Sequence, residues 1–186
     1  MMRYNGWIVK KGTELILEGL GLNLKDVHLK DTPMRVARAY RTDICKGYYE
    51  DVKKVLRTEF PEKVYNEMIT VRDIEFYSTC SHHLLPFSGT VTVSYLPKKK
   101  VIGLSKIIRL VEMYSRRLQV QERLTCEIAD ALQTYLKPKG CGVHIRAKHL
   151  CTCARGVKTN NLMVTTALRG QFLKKEVKTE FLEECR

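Results

Sequence analysis

The chain has 186 residues, enough for one domain or for one domain with a helical N-terminal extension. Its 44% hydrophobic and 28% charged residues are typical of a globular protein. The sequence contains no apolar run of about 18 residues, so no membrane span is predicted. The net charge of +13 favours an anionic partner, which composition leaves open among nucleic acid, a phosphorylated metabolite and an acidic surface.

The cysteine content bears on the compartment. Seven cysteines, an odd number with several closely spaced, fit a secreted disulfide framework poorly. Residues 1–21 lack the apolar core and small-residue cleavage site of a secretory signal. A cytoplasmic location is therefore predicted, where clustered cysteine and histidine indicate metal binding or catalysis.

The first third of the chain predicts helices. Residues 9–21 predict a short helix that ends at a pair of glycines. A clearer helix is predicted to begin at Asp31, an N-cap candidate followed by Pro33 in the first turn, where proline is tolerated. Residues 52–64 predict a helix or a loop, broken at Pro61.

The remainder predicts two strands, two helices and two further strands. Branched and aromatic residues indicate the strands, and apolar residues at helical spacing indicate the helices. The order ββααββ predicts an α+β fold whose sheet edges an oligomer would cover. The predicted bounds are 68–77 and 88–95, then 104–116 and 119–136, then 143–150 and 162–172.

A candidate metal site follows from four residues. Cys80 and His83 have a Cys-x-x-His spacing, so that both side chains can face one ion from a tight turn. His149 and Cys151 end a predicted strand two residues apart, which points their side chains to the same face. Two thiolates and one imidazole, from Cys80, His83 and Cys151, form a three-ligand set with an open position, as in catalytic zinc sites.

Other interpretations of these residues stay open. A single cysteine in a strand is usually a small core residue, and a single histidine is usually a hydrogen-bonded part of the scaffold. Cys153 could offer its thiol on the same face as Cys151. Two histidines outside the ligand set, His82 and His149, are candidate acid–base groups.

Basic side chains recur beside the predicted site. Lys106 and Arg109 are three residues apart and share a helical face. Guanidinium and ammonium groups together suit phosphate oxygens, although a solvated basic face explains the charge equally well. The sequence has no P-loop and no dinucleotide-binding glycine motif. The candidates are Arg35, Arg38, Lys106, Arg109 and Arg155.

Gln121 and Glu122 begin the longer predicted helix. An acidic residue in a first turn is favoured by the helix dipole, which needs no further explanation. A carboxylate can also accept two hydrogen bonds from the ring and amino N–H groups of guanine, which adenine cannot offer. From the residues alone the two interpretations are about even.

Five segments resemble the signatures of the GTP cyclohydrolase I family, in its order and spacing, over about residues 30–173. Five ordered motifs are much more specific than any one of them. The segments are Asp-Thr-Pro-Met-Arg-Val-Ala (31–37), Tyr-Ser-Thr-Cys-Ser-His-His (77–83), Gly-Leu-Ser-Lys-Ile-Ile-Arg (103–109), Gln-Val-Gln-Glu-Arg-Leu-Thr (119–125) and His-Leu-Cys-Thr-Cys-Ala-Arg-Gly (149–156).

The resemblance implies the tunnelling fold, in which an antiparallel sheet is backed by two helices. It implies pentameric barrels that stack into a homodecamer, with active sites between subunits. An N-terminal helical region at 1–66 would precede a tunnelling-fold catalytic domain at 67–186. The implied activity is hydrolysis of GTP to 7,8-dihydroneopterin triphosphate and formate, by zinc-activated water attacking carbon-8, ring opening, Amadori rearrangement and reclosure. The product would feed folate, biopterin or 7-deazaguanine synthesis.

The resemblance also implies a role for each motif residue. Ser81 stands where family members commonly have glutamate, which removes a negative charge beside the predicted ligands. By family position, Cys80, His83 and Cys151 hold Zn²⁺; His82 and His149 are catalytic; Gln121 and Glu122 bind guanine, with Ser105 near the ribose; Arg35, Arg38, Lys106, Arg109 and Arg155 bind the triphosphate.

Two other functions remain open. One is a tunnelling-fold relative that releases a ring-opened or cyclic-phosphate product. The other is a non-catalytic zinc protein that binds nucleic acid, which is disfavoured because it leaves the pairing of His82 with His149 unexplained.

Overall fold

The computed structural model describes residues 3–57, 59–61 and 65–186, and these ranges combine helices with one main sheet. Short π-helical turns extend two helices, at Tyr40–Ile44 and Leu132–Leu136. The helices are α1 (Gly6–Gly19), α2 (Thr32–Ala39), α3 (Val52–Val55), α4 (Leu104–Ser115), α5 (Gln121–Ala131), α6 (Leu150–Cys153) and α7 (Lys175–Glu184). The strands are β1 (Glu59–Pro61), β2 (Ile69–Cys80), β3 (Pro86–Leu96), β4 (Lys100–Ile102), β5 (Leu118–Gln119), β6 (Gly140–His149) and β7 (Met163–Gly170).

The main sheet has five strands in the order β5-β2-β3-β6-β7. All neighbours are antiparallel except the two-residue β5, which runs parallel to β2. The β3–β6 register sets Phe87 opposite His149, the last residue of β6. Strands β1 and β4 form a separate antiparallel pair. The C-terminal ends of β2 and β6 and the N-terminal end of β3 therefore lie next to one another at one end of the strands.

The core lies between the sheet and the two long helices α4 and α5. Side chains of the central strands β3 and β6 supply much of this core, and Val91, Val93 and Ile145 are fully buried. Leu110 of α4 and Leu124 of α5 are likewise fully buried against that face. Burial of this apolar surface fixes the helices on the sheet and so fixes where each strand ends.

The predicted α+β class and the order ββααββ are confirmed by β2, β3, α4, α5, β6 and β7. Strands β2, β3 and β6 are longer than predicted, β7 is shorter, and α1 begins at Gly6 rather than residue 9. The helix predicted over 119–136 is wrong at its start, because Gln119 pairs with Cys80 in β5. Of the helix or loop predicted over 52–64, the structure describes α3 and β1, while residues 58 and 62–64 lie outside the described ranges.

Strand β4 and helix α7 are among the elements that the sequence did not predict. Strand β4 begins at Lys100. Helix α7 forms because Phe181 packs on Phe172 at a ring-centroid distance of 5.4 Å, in a small apolar cluster separate from the main core. Within the described residues, no helix is long and apolar enough to cross a membrane.

Candidate metal centre and active site

The first two metal-ligand candidates lie in the turn that joins β2 to β3. Cys80 is the last residue of β2, and its backbone N–H donates to Leu85 O at 2.8 Å. Leu84 N–H donates back to Cys80 O at 2.9 Å, and Leu84 has a φ of 55°. These two bonds close a tight loop that projects His83 back toward the Cys80 thiol.

The third metal-ligand candidate, Cys151, comes from the segment that follows β6. Strand β6 ends at His149, and Cys151 follows in the single turn α6. Because β6 pairs with β3, the start of α6 lies beside the β2–β3 turn. Residues 71 positions apart in the chain are brought together by strand register alone.

The three candidate ligand atoms lie within 4.8 Å of one another, and no other such group of His, Cys, Asp or Glu occurs among the described residues. Cys80 Sγ lies 3.9 Å from Nδ1 of His83. Tetrahedral zinc with ordinary bond lengths sets its sulfur and nitrogen ligands about 3.6 Å apart. The residues therefore fit a zinc ion with small adjustments, and three ligands leave a fourth position open.

The environment of Cys151 is consistent with that use. Burial and the neighbouring Cys80 thiol raise the pKa of the Cys151 thiol, while the positive charge of Arg155 acts in the opposite direction. A divalent cation reverses the preference for the neutral thiol because the thiolate is the form that binds metal. Cys153 is half-buried in the same turn but is not part of the three-atom group.

His82 and His149 differ in their surroundings. His82 is exposed, and its Nδ1 lies 3.9 Å from Cys80 Sγ. His149 stacks on Phe87 with ring centroids 4.5 Å apart and an interplanar angle of 5°. Burial lowers the pKa of His149, and the negative charge of Glu122 raises it by a smaller amount. The His149 imidazole is therefore held in its neutral form at neutral pH.

Gln121 was predicted to contact guanine, but its side chain lies underneath His149. It is 1% exposed, and its Oε1 lies 2.8 Å from His149 Nε2. Its amide nitrogen contacts three acceptors of the protein, on β6 and β7. Glu122, the next residue, is exposed at the start of α5.

Two residues of this region were missed by the sequence reasoning. Phe87 forms the stacking surface for His149. Gln119 is 1% exposed and bonds Glu127 at 2.8 Å, while its backbone oxygen accepts from Ser81 at 2.9 Å. Only the position of Gln119, two residues before Gln121, could have drawn attention to it.

The basic candidates are not brought together within one chain. Arg35 pairs with Asp31 at 3.5 Å on α2, and Arg38 lines an apolar groove against α1. Lys106 and Arg109 line a different cavity of about 640 Å³. Arg155 follows α6, and exposed Ser105 lies in the first turn of α4. The structure thus separates these residues into three places.

Comparison with known proteins identifies the family. The sequence model described as GTP cyclohydrolase I matches residues 9–186. This chain belongs to the GTP cyclohydrolase I family. It is 52% identical to GTP cyclohydrolase 1 of Campylobacter lari over 87% of this chain and 85% of that protein. GTP cyclohydrolase 1 of Methylococcus capsulatus is 48% identical over 90% of this chain and 91% of that protein. GTP cyclohydrolase 1 of Bartonella quintana is 47% identical over 94% of this chain and 85% of that protein.

Solved structures of other proteins also resemble this GTP cyclohydrolase I family member. An archaeosine synthase QueF-like protein in the apo form has a TM-score of 0.43 and 16% identity, over 57% of this chain and 96% of that one. A dihydroneopterin aldolase from Burkholderia thailendensis, bound to guanine, has a TM-score of 0.37 and 13% identity, over 56% and 90%. The prediction of an enzyme of the GTP cyclohydrolase I family, made from five motifs, is confirmed by the family match and the relatives.

Proposed function

We propose that this chain hydrolyses GTP to 7,8-dihydroneopterin triphosphate and formate where Cys80, His83 and Cys151 meet His149. The observation that carries the proposal is a three-ligand group that ends two residues after His149, whose imidazole is oriented by Gln121. The reaction balances with one net water. Two waters add as the imidazole ring opens and formate leaves, and one is lost when the new ring closes.

The metal proposed for the site is zinc, held by Cys80, His83 and Cys151. The mixed sulfur and nitrogen donors support zinc over a hard cation such as magnesium. When bound, zinc supplies Lewis acidity that lowers the pKa of a water molecule to about 7.

His149 is proposed to transfer a proton at nitrogen-7 of guanine during ring opening. Carbon-8 lies between two nitrogens and so behaves as a masked formyl carbon, whose hydrolysis requires protonation of a departing nitrogen. Burial against Phe87 keeps the imidazole neutral and in a fixed plane, which suits a group that accepts and returns protons. His82, which is exposed, is proposed to move protons during ribose opening and the Amadori rearrangement.

Glu122 is proposed to select guanine. It is exposed at the start of α5, next to Gln121, whose side chain contacts His149. A carboxylate that accepts from the ring and amino N–H groups of guanine would be left unpaired by adenine, which disfavours the wrong base strongly.

The triphosphate is proposed to bind basic residues from more than one chain. The separation of the candidates on α2, on α4 and after α6 supports this, because a single chain does not gather them. Holding the triphosphate would retain the intermediates through several proton transfers. The proposed set is Arg35, Arg38, Lys106, Arg109 and Arg155, with Ser105 near the ribose.

A homodecamer of two pentameric tunnelling-fold barrels is the proposed assembly. Helix α1 has no buried residue, and its Trp7 is 71% exposed. Among the described strands, β5 and β7 have no outer partner. Uncovered apolar helix surface and open sheet edges favour association.

The proposed location is the cytoplasm. The seven unpaired cysteines support it, because a reducing compartment keeps thiols from forming disulfides.

The test is formate release and product mass after zinc-loaded protein is incubated with GTP. Formate and dihydroneopterin triphosphate in equal amounts, lost in His149→Ala, are expected. Formate with a ring-opened or cyclic-phosphate product would instead identify a different member of the reaction class. GTP recovered unchanged from metal-loaded protein would contradict the proposal, and Ser81→Glu would then test the departure from the family motif.

A further inference from the structure

The side chain of Gln121 is surrounded by protein on all sides. Its amide nitrogen lies 3.2 Å from Ile145 O, 3.1 Å from Met163 O and 3.1 Å from Thr165 Oγ1. Its amide oxygen lies 2.8 Å from Nε2 of His149. Both ends of the amide are therefore used within the chain, with no donor left for a ligand.

The orientation of this amide follows from the chemistry of its neighbours. Backbone carbonyl oxygens only accept hydrogen bonds, so the atom between Ile145 O and Met163 O must be the NH₂ group. A flipped amide would set an oxygen against two carbonyl oxygens in a buried site, which is strongly unfavourable. The oxygen of Gln121 therefore faces His149.

An amide oxygen toward His149 in turn fixes the tautomer of the imidazole. Oxygen accepts and cannot donate, so Nε2 of His149 must carry the hydrogen of this 2.8 Å bond. A neutral imidazole has one N–H, and Nδ1 is then the nitrogen with the free lone pair. The parallel Phe87 ring holds the imidazole plane in which that lone pair lies.

We infer that Gln121 is a positioning residue that fixes His149 as its Nε2–H tautomer, so that Nδ1 is the atom that exchanges protons with the substrate. This inference rests on the proposed function for the identity of the substrate, but not for the tautomer. It replaces a guanine contact by the Gln121 side chain with an action through His149.

Steady-state kinetics test the role of Gln121. Gln121→Met removes both ends of the amide while keeping its length, and kcat for GTP is expected to fall about 10- to 100-fold with KM little changed. Gln121→Glu keeps an oxygen facing Nε2 but sets its second oxygen against the carbonyl oxygens of Ile145 and Met163, so it is expected to lose kcat as well. The matched control is Thr125→Val, which removes a hydroxyl of the same buried cluster that does not touch the Gln121 side chain.

Other outcomes overturn the inference. A raised KM with unchanged kcat in Gln121→Met would make the side chain a guanine ligand. Equal losses in Gln121→Met and Thr125→Val would make it a structural residue only.

Neutron diffraction tests the tautomer directly and does not depend on turnover. In zinc-loaded parent crystals at about pD 8, above the ordinary histidine pKa, deuterium is expected on Nε2 of His149 and not on Nδ1. Deuterium on Nδ1 with Nε2 bare would overturn the inference. A parent that fails to turn over GTP would contradict the proposed function while leaving this measurement decisive for the tautomer.

Discussion

The two halves of the candidate site are built in different ways. The metal-ligand group and His149 lie at the ends of β2 and β6, where strand register and a tight turn bring them within a few ångströms. The basic residues lie at three separate places, on α2, on α4 and after α6. The first half is complete in one chain, because hydrogen-bonded strands determine distances. The second half depends on what covers those helices.

This difference separates chemistry from substrate retention. Residues that make or move protons need positions fixed to fractions of an ångström, which paired strands provide. Flexible arginine and lysine side chains need only approach phosphate oxygens, so they can come from neighbouring chains. The following predictions test that division, in order of expected effect.

Removing a proposed metal ligand should abolish metal binding and, with it, the activity. We expect Cys151→Ala to lower bound zinc to a small fraction of the parent and to reduce activity by at least about 10³-fold, through loss of Lewis-acid stabilisation. Metal analysis and formate assays measure both effects. Cys126→Ala, an exposed cysteine on α5, is the matched control and should retain both. Full zinc binding by Cys151→Ala would show that another ligand, such as Cys153, takes its place.

Removing the acid–base group should leave the metal in place. We expect His149→Ala to reduce kcat about 10²- to 10⁴-fold, the range for loss of a general acid or base, with zinc content unchanged. The control is His144→Ala, because His144 is also a partly buried strand histidine whose pKa is lowered by burial. Equal losses in the two variants would mean that His149 only stabilises the sheet.

Mixing two impaired variants should show whether the phosphate-binding residues of one site come from another chain. Lys106→Ala is expected to raise KM for GTP about tenfold or more by removing a phosphate contact. Protein reassembled from equal amounts of Lys106→Ala and Cys151→Ala should regain up to about a quarter of parent sites if the two residues lie in different subunits. Activity no higher than that of unmixed Lys106→Ala, diluted by half, would place both residues in one chain.

The smallest effect concerns pH and stability. Burial, assisted by Arg146, lowers the folded-state pKa of His144; the residues paired with it, Thr92 and Thr166, are uncharged. The unfolded state therefore binds more protons as pH falls below about 6.5, so stability decreases toward acid. We expect the Tm of His144→Gln to fall less than the Tm of the parent when the pH is lowered from about 7 to about 5.5. Exposed His28→Gln is the control, and an equal loss in all three proteins would contradict the prediction.

The sequence was sufficient for the features that depend on local spacing. Cys80 with His83, and His149 with Cys151, are local patterns, so their convergence could be predicted once both were assigned to strand ends. The surroundings of Gln121 could not, because Ile145 and Met163 reach it only through the packing of α5 on β6 and β7.

The C-terminal helix escaped prediction for a related reason. Its apolar residues Val177, Phe181 and Cys185 are four apart, a helical spacing, but they pack in a small cluster of their own. The tertiary partner Phe172 lies at the end of a segment predicted as strand. Short elements that are stabilised by one or two contacts carry a weak signal in sequence.

The two-residue pairing of β5 with β2 has a thermodynamic consequence. Ser81 in the ligand turn bonds Gln119, and two residues later α5 begins with Gln121 and Glu122. Ordering the turn around a metal ion therefore also orders the start of the helix that is proposed to hold guanine. Linkage is reciprocal, so a nucleotide bound at α5 must tighten the metal by the same factor by which the metal tightens the nucleotide. Zinc should consequently bind the GTP-bound protein more tightly than the free protein.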